Sequence, residues 1–139
     1  HGAEIDQKNS NGCTALMAAV YQGHEGVLDT LIRHGADIDQ GYSNGSTALM
    51  QAAANGRERV VDTLIRHGAE INLQANNGGT ALMRAAHFGH PAVVLRLLRA
   101  GAEMTLCNSS GKTALQWAKE MGSAECVRAL EEHAAAEKA

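Results

Sequence analysis

"NGCTALMAAVYQGH", from Asn11 to His24, recurs along the chain with few changes. The same frame returns as "NGSTALMQAAANGR" from Asn44, "NGGTALMRAAHFGH" from Asn77 and "SGKTALQWAKEMGS" from Ser110. Thr14, Thr47, Thr80 and Thr113 mark a step of 33 residues. Three glycine series keep that step: Gly12, Gly45, Gly78, Gly111; Gly23, Gly56, Gly89, Gly122; and Gly2, Gly35, Gly68, Gly101. A fixed period of this length is the signature of stacked supersecondary units.

One unit explains why there are several. Thr14 suits a helix N-cap, where its hydroxyl accepts from an orphan backbone N–H. A short helix is expected from Ala15 to Gln22, ended by Gly23 in the left-handed region. A second helix is expected from about Glu25 to His34, with Val27, Leu28, Leu31 and Ile32 on one face and Gly35 as its stop. Asn44-Gly45 then signals a tight turn inside an extended, hairpin-like loop. Helices of about 8 residues are marginal alone in water. Their apolar faces find cover only against the next copy, so the unit is stable as a stack.

The totals agree with an ordinary water-exposed domain: 45% hydrophobic residues, 19% charged, 3% aromatic, and a formal charge of −3. No run of like charges points to nucleic acid. No apolar run approaches the roughly 20 residues of a membrane span, and the N-terminal stretch lacks the basic-then-apolar pattern of a signal peptide. Cys13, Cys107 and Cys126 are odd in number with no C-x-x-C pair. They suggest neither a disulfide framework nor a zinc knuckle, and a reducing, intracellular, cytoplasmic or nuclear setting is the default.

The 33-residue step, "GxTALMxAA", the "GH" after the first helix and the closing "GADI" or "GAEI" resemble ankyrin repeats. The resemblance covers Gln7 to Lys138 as four units, at 7–39, 40–72, 73–105 and 106–138, preceded by "HGAEID" (1–6), similar to the tail of a further unit. It implies an all-α solenoid of helix-turn-helix units joined by hairpin-like loops. Where that family usually has Thr-Pro-Leu-His, this chain has Thr-Ala-Leu-Met three times and Thr-Ala-Leu-Gln once. Losing each proline removes pre-organisation of about 0.4–1 kcal/mol. Met17, Met50 and Met83 are expected in the core.

The two ends differ. Glu131 stands where other units have Ile32, Ile65 and Leu98, and Ala134 replaces the stopping glycine. The last helix is therefore expected to run on towards Lys138 as a polar cap. The first unit carries internal-type Val27, Leu28 and Ile32. That predicts an uncovered apolar face, a fragment of a longer or truncated array, and weak self-association through the exposed face.

Seven histidines raise the question of metal or catalysis. His1, His34, His67 and His133 share one register at the end of the second helix, where an imidazole suits the helix C-terminus. His24 and His90 match the structural "GH" position. "SSGKT" at Ser109 to Thr113 lacks the upstream glycine of a phosphate-binding loop, since position 106 is Leu106. No metal, cofactor or catalytic residue is expected.

The remaining variation is where function is sought. Ala18, Gln51, Arg84 and Trp117 share one register; so do Tyr21, Ala54, His87 and Glu120, and next to them Gln22, Asn55, Phe88 and Met121. The loop positions Ser10, Asn11 and Cys13 correspond to Ser43, Asn44 and Ser46, to Asn76, Asn77 and Gly79, and to Ser109, Ser110 and Lys112. The resemblance implies that these registers line a concave groove and its fingertips. The aromatic residues Tyr21, Tyr42, Phe88 and Trp117 all fall there or at the loop base, and aromatics with arginine dominate binding hot spots. The expected partner-binding set is Tyr21, Gln22, Tyr42, Gln51, Asn55, Arg84, His87, Phe88, Trp117, Glu120 and Met121. The expected function is a non-enzymatic module that binds a protein or peptide. The alternative is a structural spacer or engineered array without a cognate ligand.

Overall fold

A computed structural model describes residues 5–8 and 13–138, apart from the side chain of Lys138. The placements expected for His1, Gly2, Ser10, Asn11 and Gly12 lie outside the described residues. Eight helices occur among those described: α1 (Ala15–Gln22), α2 (Glu25–Arg33), α3 (Ala48–Ala54), α4 (Glu58–Arg66), α5 (Ala81–His87), α6 (Pro91–Arg99), α7 (Ala114–Glu120) and α8 (Ala124–Lys138). The first helices α1, α3, α5 and α7 pack in one row and the second helices α2, α4, α6 and α8 in another. The two helices of each pair are joined by a short glycine-containing turn. The all-α stack expected from the period is the fold.

The threonines start the first helices as their chemistry requires. Thr14, Thr47, Thr80 and Thr113 sit in extended backbone, and their hydroxyls accept from the N–H of Met17, Met50, Met83 and Gln116 at 3.2–3.3 Å. At Thr113 the Gln116 side chain returns the bond, its Oε1 accepting from the Thr113 N–H at 2.9 Å. Alanines fill the interior of this row: Ala48, Ala52, Ala53, Ala85 and Ala86 are fully buried or nearly so. Their small side chains let the rows approach closely, and Met17, Met50 and Met83 fill the space between them, as expected of core residues.

At two junctions the residue just before the second helix ties neighbouring units together. Arg57 Nη2 donates to the Tyr21 carbonyl at 3.0 Å, and His90 Nε2 lies 2.9 Å from the Ala54 carbonyl. An arginine thus does at one "GR" what histidine does at "GH". Gly56 is required twice over. Its φ is +67°, and a Cβ there would lie 2.6 Å from the His90 ring. The carboxyl end of each unit has its own strut: Asp6, Asp39 and Asn72 accept through Oδ1 from the N–H of Asp37, Glu70 and Glu103 at 2.7–3.0 Å. Asp6 therefore has the same contact as its counterparts in later units.

The hairpin-like loops among the described residues are tight turns, each closed by two backbone bonds, such as Ala75 N–H to Gly79 O and Gly78 N–H to Ala75 O, both 2.8 Å. Among the described residues no strand forms, because the arms are too short to build a ladder. Successive turns are joined tip to tip instead. Asn76 N–H donates to Asn44 O at 2.9 Å and Ser109 N–H to Asn77 O at 2.8 Å.

The uncovered apolar face expected on the first unit shows at one of its residues. Leu28 is buried and Leu31 and Ile32 are partly covered, but Val27 is 52% exposed, whereas its counterparts Val60 and Val93 are 2% and 1% exposed. At the other end Glu131 is exposed and α8 continues to Lys138, as its polar cap composition implies.

Candidate interaction surface

The turns and the first helices together build one face of the stack. Four residues after each capping threonine, one turn into the helix, stand Ala18, Gln51, Arg84 and Trp117, and three of them reach across to neighbours. The Tyr42 hydroxyl donates to Gln51 Oε1 at 2.8 Å and lies 3.9 Å from Cys13 Sγ. Burial, with Cys13 alongside, pushes the Tyr42 phenol up to about 12. Arg84 Nη2 donates to Ser46 Oγ at 2.8 Å, across one repeat. Arg84 is half-buried, and the loss of water around it lowers the pKa of its guanidinium.

His87 joins the next ring cluster. Its imidazole meets Phe88 and Trp117 edge-to-face, each at 4.6 Å between centroids and at 80° and 82°. Lys112 Nζ lies 4.7 Å above the Trp117 ring and 2.7 Å from Glu120 Oε1. Asn77, Gly79, Met83, Arg84, His87, Phe88, Asn108 and Trp117 enclose an open cleft of about 260 Å³.

The structure brings Arg84, His87, Phe88 and Trp117 together around that cleft, with Glu120 attached through Lys112. Tyr42 and Gln51 bind one another beside it, and Tyr42 is half-buried under its loop. Tyr21 and Phe88 are 62% and 55% exposed, as expected, and Gln22 and Met121 are also exposed. Asn55 is not part of the cleft. It lines a separate depression with Gly23, Glu25 and Arg57, where α3 ends and α4 begins. Five lining or flanking residues were absent from the expected set: Asn77, Gly79, Met83, Asn108 and Lys112. Three of them, Asn77, Gly79 and Lys112, fall in the variable loop registers. Their signal was a register reading Cys13, Ser46, Gly79, Lys112, in which one member has no side chain.

Histidine does not gather into a site. His34 Nδ1 lies 2.8 Å from its own helix carbonyl at Thr30, His67 Nε2 2.9 Å from Asp29 Oδ1 and His133 Nε2 3.4 Å from Glu137. Thus His34 and His67 close α2 and α4 as their register implies, His67 also meeting the Asp29 carboxylate, whereas His133 lies inside α8 beside Glu137. Among the described residues no three His, Cys, Asp or Glu side chains converge. Cys126 is buried, and burial pushes its thiol pKa up, away from the reactive thiolate. The face presents a guanidinium and three rings side by side.

A family model of ankyrin repeats, three copies long, matches residues 1–75 and again 68–138. The chain belongs to the ankyrin-repeat family. Ankyrin-repeat domains are generally protein-interaction modules and typically non-catalytic. No curated protein matches this ankyrin-repeat chain. Among the described residues, none of its helices is long and apolar enough to cross a membrane.

Proposed function

We propose that this chain is a non-enzymatic interaction module that binds a protein or peptide on the concave face made by its first helices and turns. The observation that carries the reading is the cleft between Arg84 and Trp117. Arg33 and Arg96 are held in ion pairs, whereas this cleft keeps Arg84 half-buried against the neutral Ser46 hydroxyl, with Phe88 exposed beside it. A stacked scaffold loses little conformational entropy on binding, so a small cluster of anchors suffices.

The experiment is affinity capture with the wild-type chain and with the Phe88→Ala/Met121→Ala double variant. Both side chains are more than half exposed, so thermal unfolding should shift by no more than a few degrees. Loss of the captured partner supports the concave face. A partner retained by the double variant and by Trp117→Ala places recognition on another surface and overturns the reading.

A further inference from the structure

The cleft also indicates what chemistry fills it. Arg84 carries five N–H donors, and it uses one on the neutral Ser46 hydroxyl. Among the described residues no carboxylate lies within ion-pair distance of it, whereas Arg33 and Arg96 are paired with Asp29 and with Asp62 and Glu58. A half-buried cation without a counter-charge is unfavourable, and it gains most from a carboxylate that approaches in the plane of its fork. Across the cleft, Lys112 adds a second positive charge over Trp117, answered by Glu120 alone. The pocket is therefore locally positive on a chain whose net charge is −3.

Gly79 makes the opening. Its φ is not in the left-handed region. Its N–H donates to Asn77 Oδ1 at 2.9 Å, the same bond that Ser46 N–H makes to Asn44 Oδ1 at 2.9 Å. Ser46 makes that bond while carrying a Cβ, so the backbone does not demand glycine at this register. What the missing side chain provides is access to Arg84 and the Trp117 ring. Ligand pockets usually measure about 300–1,000 Å³, so a cleft of about 260 Å³ holds one or two inserted side chains more readily than a free cofactor.

We propose that the occupant is a peptide segment of a partner protein that seats an internal Asp or Glu carboxylate on Arg84, with a neighbouring apolar side chain against Phe88 and Trp117. This rests on the concave-face reading above and specifies its partner chemistry.

The test is selection from a library of random twelve-residue peptides displayed with both ends fused, so that no free C-terminal carboxylate takes part. Enriched sequences should carry Asp or Glu within about one to three positions of an aromatic residue or leucine. A synthetic, C-terminally amidated version should bind at least about tenfold more weakly to Arg84→Leu, as expected for a charge-assisted bidentate contact. Replacing the acid in the peptide by its amide should cause the same loss on the wild-type chain and little further loss on Arg84→Leu. Gly79→Leu, which leaves the guanidinium in place, should block binding by filling the cleft. Thermal melts of each variant establish that it is folded, and the acid-to-amide peptide needs no protein variant at all. Enriched peptides without an acid, or binding indifferent to Arg84→Leu, overturn the inference. If such peptides are still lost on Phe88→Ala/Met121→Ala, the concave-face reading survives without it. Binding indifferent to all these variants, or no enrichment, overturns both.

Discussion

Gly78 and Gly111 hold the same place in successive turns, with φ of +82° and +77°, yet they are not equally replaceable. A Cβ on Gly111 meets nothing within 4 Å, whereas one on Gly78 would lie 2.8 Å from the Asn108 Cα, part of the neighbouring turn. Gly111→Ala should therefore lose only the left-handed penalty of about 1–2 kcal/mol. Gly78→Ala should lose clearly more, because the two turns must also move apart and strain the Ser109–Asn77 bond. Urea unfolding of the two variants gives the comparison, and equal losses would mean that the turns are not in contact. Asn77-Gly78 announces one turn and Ser110-Gly111 the other. The difference between them was not legible, since it depends on backbone some 30 residues away in sequence. Gly79 has the same history: its register marks it as variable, but its role as an opening depends on Arg84 and Trp117, which only the fold brings to its side.

Elements show what neighbours add to a helix. Val27 in α2 and Val60 in α4 are the same residue in the same register, 52% and 2% exposed. Val60→Ala should destabilise by about 2 kcal/mol, two buried methyl-sized groups plus the cavity they leave. Val27→Ala should stay within about 0.5 kcal/mol. Periodicity identified this apolar face on each second helix and set the helix bounds closely. It marked the first copy as the uncovered one but not which of its residues stays bare, because coverage at each position comes from the element packed against it. Between α2 and α4, Asp29 lies 2.9 Å from His67 Nε2 and 2.8 Å from Arg33 Nη2. The His67 hydrogen bond, with help from Arg33, holds the Asp29 carboxyl below its ordinary value. A carboxyl lowered in the folded state contributes stability above its unfolded value of about 3.9 and loses it as pH falls through the lowered folded value. Melting temperatures measured from pH 6 down to 2 should fall less steeply for Asp29→Asn than for wild type. Parallel curves would show that this pair contributes nothing, a common outcome for exposed pairs.

At the scale of the whole molecule, stability is distributed along one axis. Each unit touches only its neighbours, so the architecture follows from the 33-residue period almost alone. Function is less legible, because it lies in the residues that escape the period. Four of the expected residues, Arg84, His87, Phe88 and Trp117, meet at one cleft, while Asn55 faces another depression. The Arg84–Ser46 bond, for one, joins two variable positions 38 residues apart. Trp117 is the only tryptophan in the chain and lies in the wall of the cleft, so its fluorescence reports on occupancy without any label. The most direct test is to titrate a bound peptide or partner while following Trp117 emission and, in parallel, the heat of binding. A saturable emission change with the same midpoint as the calorimetric curve, absent in Gly79→Leu, is the predicted result. Calorimetric binding that leaves Trp117 emission unchanged would contradict the assignment of the recognition site to this cleft.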